Sequence, residues 1–344
     1  MAKRTFNESD VRIRPSRSSR PRSKDRPAHA DAVHALVTTV DRGRTTCITD
    51  KGIILTAMTA RELGPKSVVV GDHVGIVGDT SGAPGSLARI VTVKERKNSL
   101  SRTVDDQAKV ERVIVANIDQ LIIVVAATNP EPRRGLIDRF LVSAFNEGIK
   151  PIILVTKVDL GPPPEFLDDY RNLNIEVITT SKGDDLTDIQ KRIHGKTSVL
   201  VGHSGVGKST LINALLPHAE RVIGDVNEVT GRGRHTSSSA IALPLSSHLA
   251  LSDGWIIDTP GIRAFGLAHI DPNRIIASFE DLREVIANCM PNCSHNEESC
   301  ALTHWVAPDG TVIRERQARI DSLRRLLDIK SLAKSDNQPD LGLE

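Results

Sequence analysis

Apolar residues follow two different rhythms along this chain. Between residues 31 and 103 they form short runs with strand character: Ala35–Val40, Cys47–Thr49, Ile53–Ala57, Ser67–Val70, His73–Val77 and Ala88–Val93. Glycine and proline punctuate them at Gly43, Gly52, Gly64, Pro65, Gly71, Gly78, Gly82, Pro84 and Gly85. Closely spaced short strands with turn residues between them predict a small β-barrel, with the OB-fold as the expected kind. From residue 104 the runs lengthen and alternate with helical patterns. Leu121–Ala127, Pro151–Thr156, Ile175–Thr179 and Ser198–Val201 read as buried strands, with Ser239–Leu245 and Trp255–Asp258 completing the set. Leu136–Glu147 and Lys208–Leu216 read as helices. Continuous apolar strands separated by helices predict an α/β domain whose parallel sheet is covered on both faces. Beyond it, Pro272–Ala287 and Ile313–Leu332 read as two helices with a Cys/His cluster between them. The expected layout is a disordered basic arm (1–30), an OB-fold barrel (31–103), an α/β domain (104–270), a helical domain (271–335) and a polar tail (336–344).

Composition changes this picture in three places. Hydrophobic residues make up 39% of the chain but aromatic ones only 3%, so the cores must be aliphatic. No apolar run approaches the roughly 18 residues of a membrane helix, and no apolar stretch follows the basic residues at the start. A cytoplasmic protein without membrane contact is expected. The net charge is +2, yet residues 1–30 carry nine Lys/Arg against three Asp/Glu. Such an arm is able to touch phosphate backbones, or simply to be solvated. Arg89, Lys94, Arg96, Lys97 and Arg102 make the end of the barrel region basic as well. No apolar stripe suggests self-association, so a monomer is expected.

The most specific chemistry lies in Gly202–Ser209, GHSGVGKS, placed between a predicted strand and a predicted helix. In that setting it is a phosphate-binding loop of the G-x-x-x-x-G-K-S form. Gly205 and Gly207 let backbone N–H groups turn inward, and the helix N-terminus adds partial positive charge. Lys208 can bridge β- and γ-phosphate oxygens, and the Ser209 hydroxyl can ligate Mg²⁺. Gly202, His203, Ser204, Gly205, Val206, Gly207, Lys208, Ser209 and Thr210 are therefore assigned to the nucleotide. Asp258–Gly261, DTPG, ends a buried strand as a water-mediated magnesium acid would, and Gly261 is placed to donate its N–H to a γ-phosphate. Between them, Gly231–Ser239 (GRGRHTSSS) offers a hydroxyl that would complete the magnesium shell. Thr236 is the candidate, with Thr230 and Ser237 as rivals.

Upstream stands Thr156-Lys157-Val158-Asp159, TKVD. A carboxylate at Asp159 can accept from guanine N1–H and N2–H, which adenine does not offer, while the Lys157 stem lies along the base. Thr180, Ser181 and Lys182 follow the next strand as a second base-contacting loop. Many GTPases have asparagine where Thr156 stands, so its contact with the base must be weaker or different. The base reader precedes the phosphate loop, the reverse of the ordinary order, so the domain reads as circularly permuted. Where many GTPases place a water-orienting glutamine, this chain has Ile262. Intrinsic hydrolysis is therefore expected to be slow until a partner supplies another group. His203 and His235 read as packing or solvent residues.

Cys289, Cys293, His295 and Cys300 provide three thiolates and an imidazole, the donor set of a closed structural Zn²⁺ site, with His304 as a rival to His295. Cys47 stands alone and reads as a small buried residue.

Together, TKVD, TSK, GHSGVGKS, GRHT, DTPG and the Cys-Cys-His-Cys cluster resemble the ribosome small-subunit-dependent GTPase A family of bacterial circularly permuted GTPases. The resemblance covers nearly the whole chain. It departs from the family at Thr156 and in the three residues between Cys289 and Cys293, where four are expected. It implies binding to the 30S ribosomal subunit and its 16S rRNA, action late in subunit maturation, and GTP hydrolysis that quickens on the subunit. The competing expectations are an RNA-binding module with little hydrolysis of its own, and an enzyme that consumes the nucleotide as substrate.

Overall fold

The structure is a computed structural model that describes residues 29–41, 43–64, 67–105, 110–217, 240–246, 249, 251–259, 270–291, 293–308 and 312–328, the backbone alone at 103–105, 110 and 111. The basic arm (apart from residues 29 and 30), the polar tail, Gly261, Ile262 and the loop holding Thr230, His235, Thr236 and Ser237 lie outside the described residues.

Five strands close the N-terminal barrel: β1 (Val33–Asp41), β2 (Arg44–Thr49), β3 (Ile54–Thr59), β4 (His73–Gly78) and β5 (Ala88–Val93). β1 pairs with β2 and β2 with β3. β3 runs parallel to β5, β5 pairs with β4, and β4 returns to β1. The interior is aliphatic and includes Val37, Leu55, Val74, Ile76 and Ile90. Cys47 lies fully buried there, and burial pushes its thiol far above the ordinary range. The expected strand Ser67–Val70 is a correction. Its valines are buried, but among the described residues its ladder contact is a bridge from Val70 to Val115. The buried Asp72 carboxylate accepts from the Val69 N–H at 2.8 Å and from Arg96 Nε at 2.7 Å. Side-chain bonds thus replace the missing strand partner.

A hairpin that the sequence pattern did not reveal follows, β6 (Ser99–Asp105) and β7 (Val110–Ala116). The Asn98 carboxamide closes its base, donating to the Ile118 carbonyl and accepting from the Ile118 N–H, both at 2.8 Å. One side chain thereby copies a backbone pair.

The α/β layer comprises β8 (Gln120–Ala126), α1 (Arg134–Asn146), β9 (Lys150–Thr156), α2 (Asp168–Arg171), β10 (Glu176–Thr179), α3 (Thr187–Ile193), β11 (Thr197–Val201), α4 (Lys208–Leu215), β12 (Ile241–Pro244) and β13 (Trp255–Asp258). Its strand order is β10-β9-β8-β11-β13-β12, and β12 alone runs antiparallel. Every residue of β8 is buried. Successive side chains of a strand point to opposite faces. Leu121, Ile123 and Val125 therefore pack with α1, while Ile122, Val124 and Ala126 pack with Ile189 and Ile193 of α3 and Leu211 and Leu215 of α4. Two helical layers cover the sheet, which explains the unbroken apolar runs. At the far edge β12 pairs with β1 at Thr39 and Ile241. Among the described residues, barrel and α/β layer are one eleven-stranded sheet.

The single helix expected over Pro272–Ala287 is two, α5 (Pro272–Ala277) and α6 (Glu280–Ile286). The break turns Phe279 inward to meet Phe145 edge-on at 5.0 Å. α7 (Ala301–Val306) and α8 (Arg314–Leu327) complete the fold. Their buried residues, among them Leu302, Val306, Ile320 and Leu323, join the same core as α1. Among the described residues three ion pairs fasten α8: Arg319 to Asp281 at 2.5 Å, and Arg325 to the buried Asp138 at 3.0 Å and to Asp169 at 3.4 Å. Among the described residues no helix is long and apolar enough to cross a membrane.

Candidate nucleotide and metal sites

The carboxyl ends of parallel strands are where α/β sheets present ligand-binding loops. All the expected nucleotide residues that are described lie there. Gly202 leaves β11 with φ +148°, and a Cβ on it would sit 2.2 Å from the Val124 carbonyl oxygen, so β8 passes too close for any side chain. Gly205 and Gly207 both have left-handed backbones, and Gly207 opens α4. Ser204, Gly205, Ser209 and Thr210 are exposed, and Val206 is buried beneath them. The Lys208 ammonium folds back over the turn and donates to the carbonyls of Gly202 at 2.6 Å and His203 at 3.0 Å. Burial lowers its pKa, and the attraction of Asp258 works against that shift. Asp258, at the end of β13, has its carboxyl pushed up by burial, opposed by Lys208 and by the Thr259 N–H. Its Oδ1 is buried without a partner among the described residues. His203 Nδ1 lies 2.8 Å from the Ser204 carbonyl oxygen.

On the next strands, Asp159 is exposed just beyond β9. Lys157 adopts φ +59°, and its ammonium donates to the Asn129 carbonyl at 2.6 Å. The Thr180 N–H donates to the Val155 carbonyl at 2.8 Å, which ties the loop after β10 to β9. The Ser181 N–H donates to Asp184 at 2.6 Å, and Lys182 is exposed. Thr156 is buried, as Thr180 is, and its hydroxyl donates to the Val206 carbonyl at 2.6 Å. Asn129 and Val206 take part through backbone carbonyls, which no residue pattern signals. A cavity of about 260 Å³ lies behind the turn, lined in part by Leu136, Phe140, Arg133, Val206 and His203.

Cys289, Cys293, His295 and Cys300 present ligand atoms all within 4.8 Å of one another, and the group does not include His304, which is exposed. Cys289 Sγ lies 3.6 Å from His295 Nδ1 and 3.8 Å from Cys300 Sγ. Glu297 accepts from Cys293 Sγ at 3.0 Å and from the Ser294 N–H at 2.9 Å. The Arg324 side chain donates to the His295 carbonyl at 2.8 Å, tying the cluster to α8.

The model of the RsgA GTPase family matches residues 93–268. A small ribosomal subunit biogenesis GTPase RsgA from Paraburkholderia xenovorans is 37% identical over 261 residues, covering 73% of this chain and 80% of the relative. This chain belongs to the RsgA GTPase family. Another such RsgA, from Ectopseudomonas mendocina, is 36% identical over 245 residues, covering 68% of this chain and 69% of its own. The fold is also that of YjeQ from Thermotoga maritima (TM-score 0.57, 24% identity, 86% of this chain and 99% of that one). It matches equally the circularly permuted GTPase YloQ (TM-score 0.59, 24% identity, 89% and 98%). The RsgA family match runs from the last barrel strand to just short of α5 and thus spans both halves of the candidate nucleotide site.

Proposed function

We propose that the chain hydrolyses GTP as a switch in maturation of the small ribosomal subunit. One observation carries this reading. TKVD, TSK, the glycine turn and Asp258 come from four strands in permuted chain order, yet stand together along one edge of the sheet. RsgA relatives named for small-subunit biogenesis support the destination.

In this reading Gly202–Ser209 is the phosphate loop and its amides cradle the phosphates. Lys208 exchanges its two carbonyl partners for phosphate oxygens. Asp159 accepts from guanine N1–H and N2–H, and Thr180, Ser181 and Lys182 flank the base. The Asp258 Oδ1, without a partner among the described residues, and the exposed Ser209 hydroxyl suit Mg²⁺, with Thr236 completing the shell and Gly261 donating to the γ-phosphate. Bound magnesium would neutralise charge that develops on the phosphates. The three thiols and His295 suit one structural Zn²⁺. The closure of the barrel, 1-2-3-5-4-1, suits an OB-fold, which together with the basic arm would meet 16S rRNA. The proposed boundaries are 31–103, 104–270 and 271–335, between the arm at 1–30 and the tail at 336–344. The acting species is taken to be a cytoplasmic monomer.

Phosphate release from GTP, with ATP as control, tests this directly. Turnover is expected to be slow alone and markedly faster with purified small subunits, and ATP should be inert. Asp159→Asn should erode the preference for GTP at least tenfold, because hydrogen bonds to a charged acceptor contribute about 1.5–3 kcal/mol each. Equal rates with and without subunits would sink the ribosomal part, and an unchanged preference in the variant would sink the base assignment. Elemental analysis is expected to find one zinc per chain, lost in Cys300→Ser together with a lowered melting temperature. Metal-free protein from zinc-replete expression would remove the zinc assignment.

A further inference from the structure

Thr156 stands where a base contact was expected, but the geometry points to a different role, in which its hydroxyl sets the phosphate loop from the base-reading loop. This inference rests on the nucleotide-site reading above and assigns Thr156 as a positioning residue within it.

Thr156 closes β9, and its own carbonyl accepts from the Ala127 N–H at 2.8 Å, which holds its backbone in the sheet. The residue is 7% exposed, and its side chain reaches the glycine turn, whereas Asp159 is exposed. The hydroxyl oxygen lies 2.6 Å from the Val206 carbonyl and 3.2 Å from the Val125 carbonyl. A hydroxyl has one proton to donate, and the shorter distance assigns it to Val206. In a trans peptide the C=O and the following N–H point in opposite directions. Holding the Val206 carbonyl toward β9 therefore aims the Gly207 N–H the other way, out of the core and into the turn. Gly207 leaves that orientation otherwise undetermined, because its φ of +94° is one that glycine enters and leaves freely. The Val206 side chain is buried on the same side, so the bond and the packing act together. Next along the chain, the Lys157 ammonium on the Asn129 carbonyl braces the base-reading loop against the end of β8. One short segment thus serves both ends of the nucleotide: Asp159 faces solvent to take the ring, and Thr156 faces inward to fix an amide under the phosphates.

The test compares three substitutions in the full-length chain. Thr156→Val keeps the shape and removes the donor; Thr156→Ser keeps the hydroxyl; Thr156→Asn offers an amide N–H. Thr156→Val is expected to weaken GTP and GDP about tenfold each, equivalent to about 1.4 kcal/mol. The ratio of GTP to ITP affinity should stay as in the unaltered protein, because ITP lacks only the guanine amino group. The ³¹P resonance of the β-phosphate of bound GDP is expected to move in Thr156→Val and to return in Thr156→Ser. Should Thr156→Val fail to fold, Thr156→Asn is expected to bind GTP within about threefold of the unaltered chain, since its amide can donate to the same carbonyl. A changed GTP/ITP ratio would make Thr156 a base contact. An unmoved phosphorus resonance, or loss of binding in Thr156→Ser or Thr156→Asn, would also overturn the assignment. If the unaltered chain bound no guanine nucleotide, the function reading itself would fall and take this inference with it. If the unaltered chain binds GTP and Thr156→Val binds it equally well, only the positioning role falls.

Discussion

Lys208→Ala is expected to weaken GTP binding by a hundredfold or more. The ammonium is half-buried above the turn, where burial lowers its pKa and its two carbonyl partners hold it in place. A triphosphate entering that turn offers oxygens in exchange for those carbonyls, so the bond count is kept while charge is neutralised. Charge-assisted bonds contribute about 1.5–3 kcal/mol apiece, and two lost together exceed the roughly 2.7 kcal/mol that corresponds to a hundredfold. Alanine also leaves the Gly202 and His203 carbonyls without this donor, which loosens the turn. Lys208→Arg is expected to restore little, because a planar guanidinium fork does not match a site shaped for a compact ammonium. Titration with a slowly hydrolysed GTP analogue and Mg²⁺ measures the effect, and melting without ligand shows whether the fold survives. Binding within threefold of the unaltered chain would contradict the site.

Arg325→Ala is expected to cost about 3 kcal/mol of stability, the lower end of the 3–5 kcal/mol typical of a broken buried pair. The lower end applies because the arginine side chain is 25% exposed while Asp138 is only 2% exposed. Arg325 also lies over the Tyr170 ring at 5.4 Å, and Tyr170 donates to Asp138 at 2.8 Å. Removing the guanidinium leaves an ionised carboxylate in the shared core with the Tyr170 phenol as its hydrogen-bond donor and the charge of Arg134 as a weaker support. The pH dependence follows in sign. Burial already raises the Asp138 carboxyl above the ordinary carboxylate range, and Arg325 works against that rise. In the variant the carboxyl moves further up. A carboxyl whose folded pKa lies above its unfolded one destabilises the fold when ionised. The penalty should be full at neutral pH and shrink as pH falls through the raised folded value. Urea unfolding at pH 7 and near pH 5 measures both halves of this expectation. A penalty that grew on acidification would show that Asp138 is not the group left exposed to the core.

Much of the α/β layer was legible because β8, β9 and β11 carry their burial in consecutive residues, as a sheet covered on both sides requires. The glycine turn was legible for a related reason: Gly202 is dictated by close approach to Val124, and Gly205 and Gly207 by left-handed backbones. The hairpin β6–β7 was missed because it lacks a run of alternating apolar residues, and its base is closed by one asparagine side chain. Ser67–Val70 misled because buried valines look like strand whether or not a neighbour takes their backbone. The break between α5 and α6 escaped because the inward turn of Phe279 toward Phe145 leaves no mark in the residue pattern. At the site, the sequence preferred His295 with His304 as a rival, and the grouping of the ligand atoms includes His295 alone of the two. Thr156 was legible as a departure from the usual residue, but its partner is a backbone oxygen fifty positions away.

The pairing of β12 with β1 has a practical consequence for anyone dividing this molecule. A barrel expressed by itself would keep its own closed ring yet lose the neighbour that covers Thr39. Bare strand amides at such a seam invite intermolecular pairing. The excised fragment should therefore self-associate unless that seam is capped by charge or by a grafted copy of Ile241–Pro244.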